Sequence, residues 1–171
     1  MGGGVRGARQ EQNAGVALVH RVETVALPER RVTDGEAAGA RKEVESHSPY
    51  PERRWTTAWY RDVLDRDDRQ KAGKVEPYRM ELHAIRLGDV AIATNPFELY
   101  TQYGIQIKSR SRALQTFVVQ LTGPGTYLPT AEAVRGGGYS AIAASSVVGP
   151  EGGRVLVDRT VESVNALWAG K

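Results

Sequence analysis

Two side chains in the second half of the chain could do chemistry together. Glu98 lies in 94-TNPFELYTQYGIQIK-108, and Tyr127 in 121-LTGPGTYLPTAEAVRGGGY-139. Each sits just past an apolar, strand-like run. A carboxylate at a strand end lies where α/β active sites gather, and could bind a metal or act as a base. A tyrosine beyond a Gly-rich loop could ligate a metal or donate a hydrogen bond to a developing oxyanion. Both have a structural alternative. Asn95 can cap a helix, and Glu98 three residues on completes a capping-box spacing. Tyr127 can be a half-buried core aromatic. No histidine lies between or beyond the two residues, and His83 is the nearest.

Other candidates carry weaker signals. His20, His47 and His83 have neither HExxH nor HxH spacing. His83 falls inside an apparent strand and reads as a sheet-surface residue. Ser145 and Ser146 lack the G-x-S-x-G elbow of a serine nucleophile. The run 136-GGGY-139 lacks the GxxxxGK[ST] of a phosphate loop, and no strand-to-helix context makes it a dinucleotide fingerprint.

The elements that must position these residues follow from periodicity. Residues 17–27 alternate as a strand. Thr33 and Glu36 have capping-box spacing, which predicts a surface helix over 33–46. Prolines near His47–Pro51 make a turn. Trp55, Trp59, Val63 and Leu64 define one aromatic-rich helical face. The charged stretch 65–74 reads as an exposed loop. Residues 79–87 and 90–94 form a hairpin around Gly88-Asp89. Asn95 and Pro96 then open a helix whose apolar face is Leu99, Tyr100, Tyr103 and Ile107. Residues 115–122 read as a short buried strand. A last helix opens at Asp158 or Thr160, with Val161, Val164, Leu167 and Trp168 as its stripe. Leu167 and Trp168 are expected to pack on the strands around Val118 and Ile92. The fold class is α/β or α+β, a mixed sheet with flanking helices.

Composition narrows the function. The chain has 171 residues, enough for one domain. Its 40% hydrophobic and 25% charged content excludes disorder throughout. The formal charge of +3 is dispersed among acidic neighbours, which excludes a nucleic-acid footprint. Cysteine is absent, which removes thiolate ligands and thiol nucleophiles. No run is long enough to span a bilayer. Residues 1–15 read as a disordered, Gly-rich segment without the apolar core of a signal peptide. A complete gene product of this sequence would therefore be cytoplasmic. The first half supplies little core, so the chain is expected to be an incomplete part of a larger domain, dependent on a partner.

Several motifs occur in an order that resembles the neutral/alkaline non-lysosomal ceramidase family, in particular its bacterial members. They are Gly88-Asp89, Pro96-Phe97-Glu98, Tyr127-Leu128-Pro129-Thr130 and Tyr139, with 22–43 resembling the strand and helix upstream. The resemblance implies that residues 16–171 are the C-terminal portion of a catalytic domain. It implies a zinc-dependent hydrolase of the amide bond of N-acylsphingosine, with zinc held by two histidines, a glutamate and a tyrosine. The glutamate falls on Glu98 and the tyrosine on Tyr127. Both zinc histidines and the family's active-site serine belong to sequence before this region, and His20, His47 and His83 match none of their motifs. The family's glycine before the glutamate is Phe97 here, a bulk expected to narrow the approach to a metal. The implied cofactor is zinc, bound only in a complete domain. The implied partners are an upstream half-domain or a second copy, and a lipid amide substrate. The alternative function is a non-catalytic remnant of the fold that binds a protein or a lipid.

Overall fold

The computed structural model describes residues 15–169. The expectation of disorder over 1–15 therefore falls almost wholly outside the described residues. Strand β1 (Leu18–Leu27) pairs antiparallel with β2 (Tyr78–Leu87), and β2 with β3 (Val90–Thr94). Gly88 and Asp89 join β2 to β3 in two residues. Gly88 has φ 60, the left-handed conformation that a first-position glycine supplies to a tight hairpin. Helix α3 (Thr101–Arg110) then crosses over to β5 (Gln115–Val119), which runs parallel to β3. The sheet order is β1-β2-β3-β5, so the sheet is mixed, as the fold class anticipates.

The alternation of each strand decides what lies beneath it. Val25, Leu27, Met80 and Leu82 point into the main core with Ile107 of α3 and Leu156, Val157 and Val161 of α5 (Pro150–Ala166). Among the described residues no helix covers the opposite face of the sheet. Leu18, Val22, Leu87, Phe117 and Val119 are exposed there. Helices α1 (Asp34–His47) and α2 (Arg54–Lys71) pack together, and their Ala40 and Val63 meet Ala143 and Ala144. The Thr33–Glu36 capping box of α1 forms as its spacing predicts.

Five local expectations are overturned. First, no helix follows Asn95. The Asn95 side chain accepts from the Phe97 N–H at 3.1 Å, an Asx turn, and the chain continues as the short strand β4 (Glu98–Leu99). Phe97 and Leu99 are buried while Glu98 is exposed, which is a period of two rather than 3.6. Helix α3 starts only at Thr101, so Leu99 is not on it.

Second, the charged stretch after Leu64 is helix through Lys71. Arg66 and Asp67 are both buried: the Arg66 guanidinium donates to the Ala143 carbonyl at 2.6 Å, and Lys71 holds Asp67 at 2.9 Å. Trp55, by contrast, is 77% exposed and off the packed face. Third, α5 opens at Pro150, two turns before Asp158, with proline in its first turn. Fourth, β5 is an edge strand. Thr116 is its buried residue, and Phe117 and Val119 stand on the open face. Fifth, only Leu167 of the terminal pair is buried: it packs with Val164 on Ala91 and Ala93, the neighbours of Ile92, as expected, but on Ala84 of β2 rather than near Val118, while Trp168 lies half-buried under the Arg86 guanidinium, 4.5 Å from its ring centre. The first half also contributes more core than its composition suggests, through Val25, Leu27 and Val63.

Candidate functional site

A second, two-stranded sheet brings Glu98 and Tyr127 together. Strand β6 (Tyr127–Leu128) runs parallel to β4, with Glu98 opposite Tyr127 and Leu99 opposite Leu128. The Glu98 N–H donates to the Thr126 carbonyl at 3.1 Å, and the Tyr100 N–H to the Leu128 carbonyl at 3.4 Å. Register places the two side chains on one face. Phe97, Leu99 and Leu128 point the other way into the core, at 0%, 7% and 0% exposure. This alternation also removes the expected obstruction. Phe97 packs on Tyr78 with ring centroids 5.3 Å apart, on the face away from Glu98.

The loop 123-GPGT-126 makes the pairing possible by close approach. A Cβ on Gly125 would lie 2.1 Å from the Pro96 carbonyl oxygen. The Tyr78 hydroxyl donates to the Pro124 carbonyl and ties the loop to β2. Gly125 thus admits the neighbouring Pro96 backbone.

The Glu98 carboxylate, opposite Tyr127 in register, holds the phenol's pKa above the ordinary tyrosine value, first by attracting its hydrogen, with burial and the Glu98 charge adding to the same direction. At neutral pH the phenol is therefore a proton donor and Glu98 its acceptor. Capping plays no part: the Asn95 side chain serves Phe97, and Glu98 is not on a helix.

Around this pair stand further hydroxyls and rings. Tyr139 meets Tyr127 edge-on with centroids 6.1 Å apart, and Trp59 of α2 packs on Tyr139 at 5.6 Å. The Tyr100 and Ser140 hydroxyls share a hydrogen bond of 2.6 Å. The Tyr127 N–H donates to the Ser145 carbonyl at 3.1 Å.

Two buried arginines hold the 139–148 segment in place, and inspection of the sequence misses both. Arg30 donates to the Ala141 carbonyl at 2.6 Å, to the Ser146 hydroxyl, and to Glu36 at 2.6 Å. Arg66 donates to the Ala143 and Ser146 carbonyls at 2.6 and 3.3 Å. Burial lowers the Arg66 pKa, with Glu29 opposing. The signal for Arg66 was its helical spacing from Trp59 and Val63, masked by the acidic and basic residues beside it. Ser145 and Ser146 are buried and bonded to the Tyr139 and Ile142 carbonyls at 2.5 and 2.9 Å.

A carboxylate and a phenol are two oxygen donors. Catalytic zinc takes three protein ligands or more, with imidazole prominent among them. Among the described residues no group of three or more His, Cys, Asp or Glu side chains could hold a metal ion. The pair therefore does not make a zinc site by itself, and fits one only as its oxygen half.

No protein-family model matches the chain. No curated protein matches it either. Among solved structures the chain is similar to a ceramidase complexed with C2, with a TM-score of 0.47 and 16% identity, over 52% of this chain and 15% of that one. It is similar to the neutral ceramidase from Pseudomonas aeruginosa with a TM-score of 0.46 and 17% identity, over 53% of this chain and 15% of that one. The likeness is distant and partial. The match spans about 15% of the length of these ceramidases.

Proposed function

We propose that the chain supplies the carboxylate and phenol half of a zinc-dependent amide hydrolase site, with N-acylsphingosine as the substrate class. The supporting observation is the β4–β6 register. It sets Glu98 directly opposite Tyr127 across 29 residues of sequence, and the carboxylate raises the phenol's pKa. These are the two residues that the ceramidase resemblance assigns as metal ligands. In a complete site the Glu98 and Tyr127 oxygens would hold the ion, and the imidazoles would come from outside the described residues. Bound zinc supplies Lewis-acid polarisation of an acyl carbonyl and a water of lowered pKa.

The chain's own residues have separate tasks. Glu98 supplies negative charge and, in the metal-free pair, attracts the Tyr127 hydrogen. With Glu98 engaged on an ion, the single phenol hydrogen would be free to turn to charge that develops on an acyl oxygen. Tyr139, Trp59 and the arginine-held segment fix the Tyr127 ring. The partner that supplies imidazoles is an upstream half-domain or a second copy.

A specific observation favours a second reading. The open face of the sheet, with Leu18, Val22, Leu87, Phe117 and Val119, suits a non-catalytic module that binds protein or lipid. No helix among the described residues is long and apolar enough to cross a membrane.

Hydrolysis separates the readings. N-acylsphingosine cleavage is measured in zinc-supplemented buffer, for the chain alone and co-expressed with the histidine-bearing half-domain. The expected result is no cleavage alone and cleavage in combination. Glu98→Gln and Tyr127→Phe should each lower the combined rate by about 10²–10³, the scale for losing one preorganised transition-state group, with circular dichroism unchanged. Full activity in both variants returns the pair to a structural role.

A further inference from the structure

We propose that His20 and His83 form a binding site for a divalent transition cation of the copper or nickel kind on the open face of the sheet, independent of Glu98 and Tyr127. The two residues lie on neighbouring strands. His20 is opposite Ile85 and His83 opposite Val22, so the imidazoles are diagonal neighbours on one face. His20 Nε2 is 2.9 Å from His83 Nδ1. The ring planes differ by 19° and the centroids are 5.1 Å apart, so the rings meet edge to edge, nitrogen to nitrogen.

With both rings neutral, the far nitrogen of His83 fixes the proton positions. His83 Nε2 is 2.6 Å from Glu81 Oε1. A carboxylate only accepts, so Nε2 carries the hydrogen and Nδ1 of the neutral ring presents a lone pair. The hydrogen between the rings is then on His20 Nε2. Moving that proton to His20 Nδ1 through solvent leaves two lone pairs aimed at one point, with no net proton released. The Glu81–His83 contact is the arrangement in which a carboxylate orients and strengthens a metal-bound histidine. The His83 N–H also donates to Thr94 Oγ1 at 3.1 Å, which fixes the backbone behind the ring.

The chemistry selects the ion. Two imidazoles suit copper, nickel or zinc, and hard oxygen-seeking ions gain nothing here. Zinc with bonds of about 2.0–2.1 Å holds its nitrogens roughly 3.3 Å apart, so the pair opens by a few tenths of an ångström. Water completes the coordination, because Glu81 faces the other side of His83. With two protein ligands the site follows the general order of divalent affinities, copper above nickel and zinc. A bound ion clips the edge strand β1 to β2 and stabilises the folded chain.

Titration with Cu(II), Ni(II) and Zn(II) salts, read by calorimetry and by melting temperature, tests this. One Cu(II) per chain should bind and raise the melting temperature. His20→Asn and His83→Asn should each abolish the binding and the rise. Glu81→Gln should weaken it roughly 10–100-fold. His47→Asn and Glu98→Gln should leave it unchanged, which separates this site from the proposed hydrolase pair. His20, Glu81 and His83 are on the open face, and far-ultraviolet circular dichroism confirms folding of every variant. The proposal is overturned if the parent shows no saturable copper binding, or if binding survives either single histidine substitution.

Discussion

Gly125→Ala is expected to unfold the site. An added Cβ would lie 2.1 Å from the Pro96 carbonyl oxygen and 2.5 Å from its carbon. Both are backbone atoms, so no side-chain rotation relieves the contact. The 123–126 loop must retreat from Pro96, and the hydrogen bond from the Glu98 N–H to Thr126 goes with it. Overpacking costs about 1–3 kcal/mol where side chains can adjust, and this substitution belongs at or above the top of that range. Gly123→Ala is the control. Its Cβ would sit 3.6 Å from Pro96 Cβ, an ordinary contact. The denaturant midpoint should fall for Gly125→Ala and hold for Gly123→Ala. Equal midpoints would mean that the loop does not pass so close to Pro96.

Phe97→Ala should cost about 3–5 kcal/mol, the range for truncating a buried aromatic. Phe97 has no exposed surface and joins the main core beside Leu27, Leu82 and Leu128. The loss would fall on the residue that anchors β4, so Glu98 should become mobile as stability drops. A chevron or equilibrium unfolding curve gives the stability change. A change below about 1 kcal/mol would put Phe97 on the solvent side of β4, because isolated surface substitutions stay within that range.

Much of the fold was legible because local signals agreed with it. The Thr33–Glu36 box, the hairpin at Gly88-Asp89 and the alternation in β1 and β2 each have a short-range cause. The errors share a different origin. Asn95-Pro96 is an ordinary helix opening, yet pairing with residues 29 positions on in sequence turned 98–99 into a strand. Local propensity cannot contain that partner. The run after Leu64 looked like loop because its charges hid Arg66 and Asp67, whose bonds lie far along the chain or one turn away. A buried charge is invisible in composition. It shows only as a position on the inward stripe of a helix.

Glu98 and Tyr127 stand out in the sequence by type and by resemblance, and the strand pairing that sets them opposite each other does not. Gly125 shows in the sequence only as part of a Gly-rich loop, and in the fold it makes room for the Pro96 backbone. Tyr139, Ser140 and Trp59 surround the pair through a segment whose anchors, Arg30 and Arg66, lie in the half of the chain that carried the weakest signal.

The claim on which the functional reading rests is that the Glu98 carboxylate and the Tyr127 phenol act as one unit. Titration of Tyr127, followed by the carbon resonance of its labelled phenol, measures that directly in the parent and in Glu98→Ala. In the folded parent Glu98, opposite Tyr127, is the leading cause that raises the phenol's pKa. A raised folded value means that the pair's contribution to stability is full below the unfolded value of about 10. That contribution is lost as pH rises through the raised value. The parent midpoint should therefore lie above the ordinary tyrosine value, and Glu98→Ala should bring it back toward that value with the fold intact. An identical midpoint in the two proteins would contradict the account, because Glu98 and Tyr127 would then be neighbours in register only.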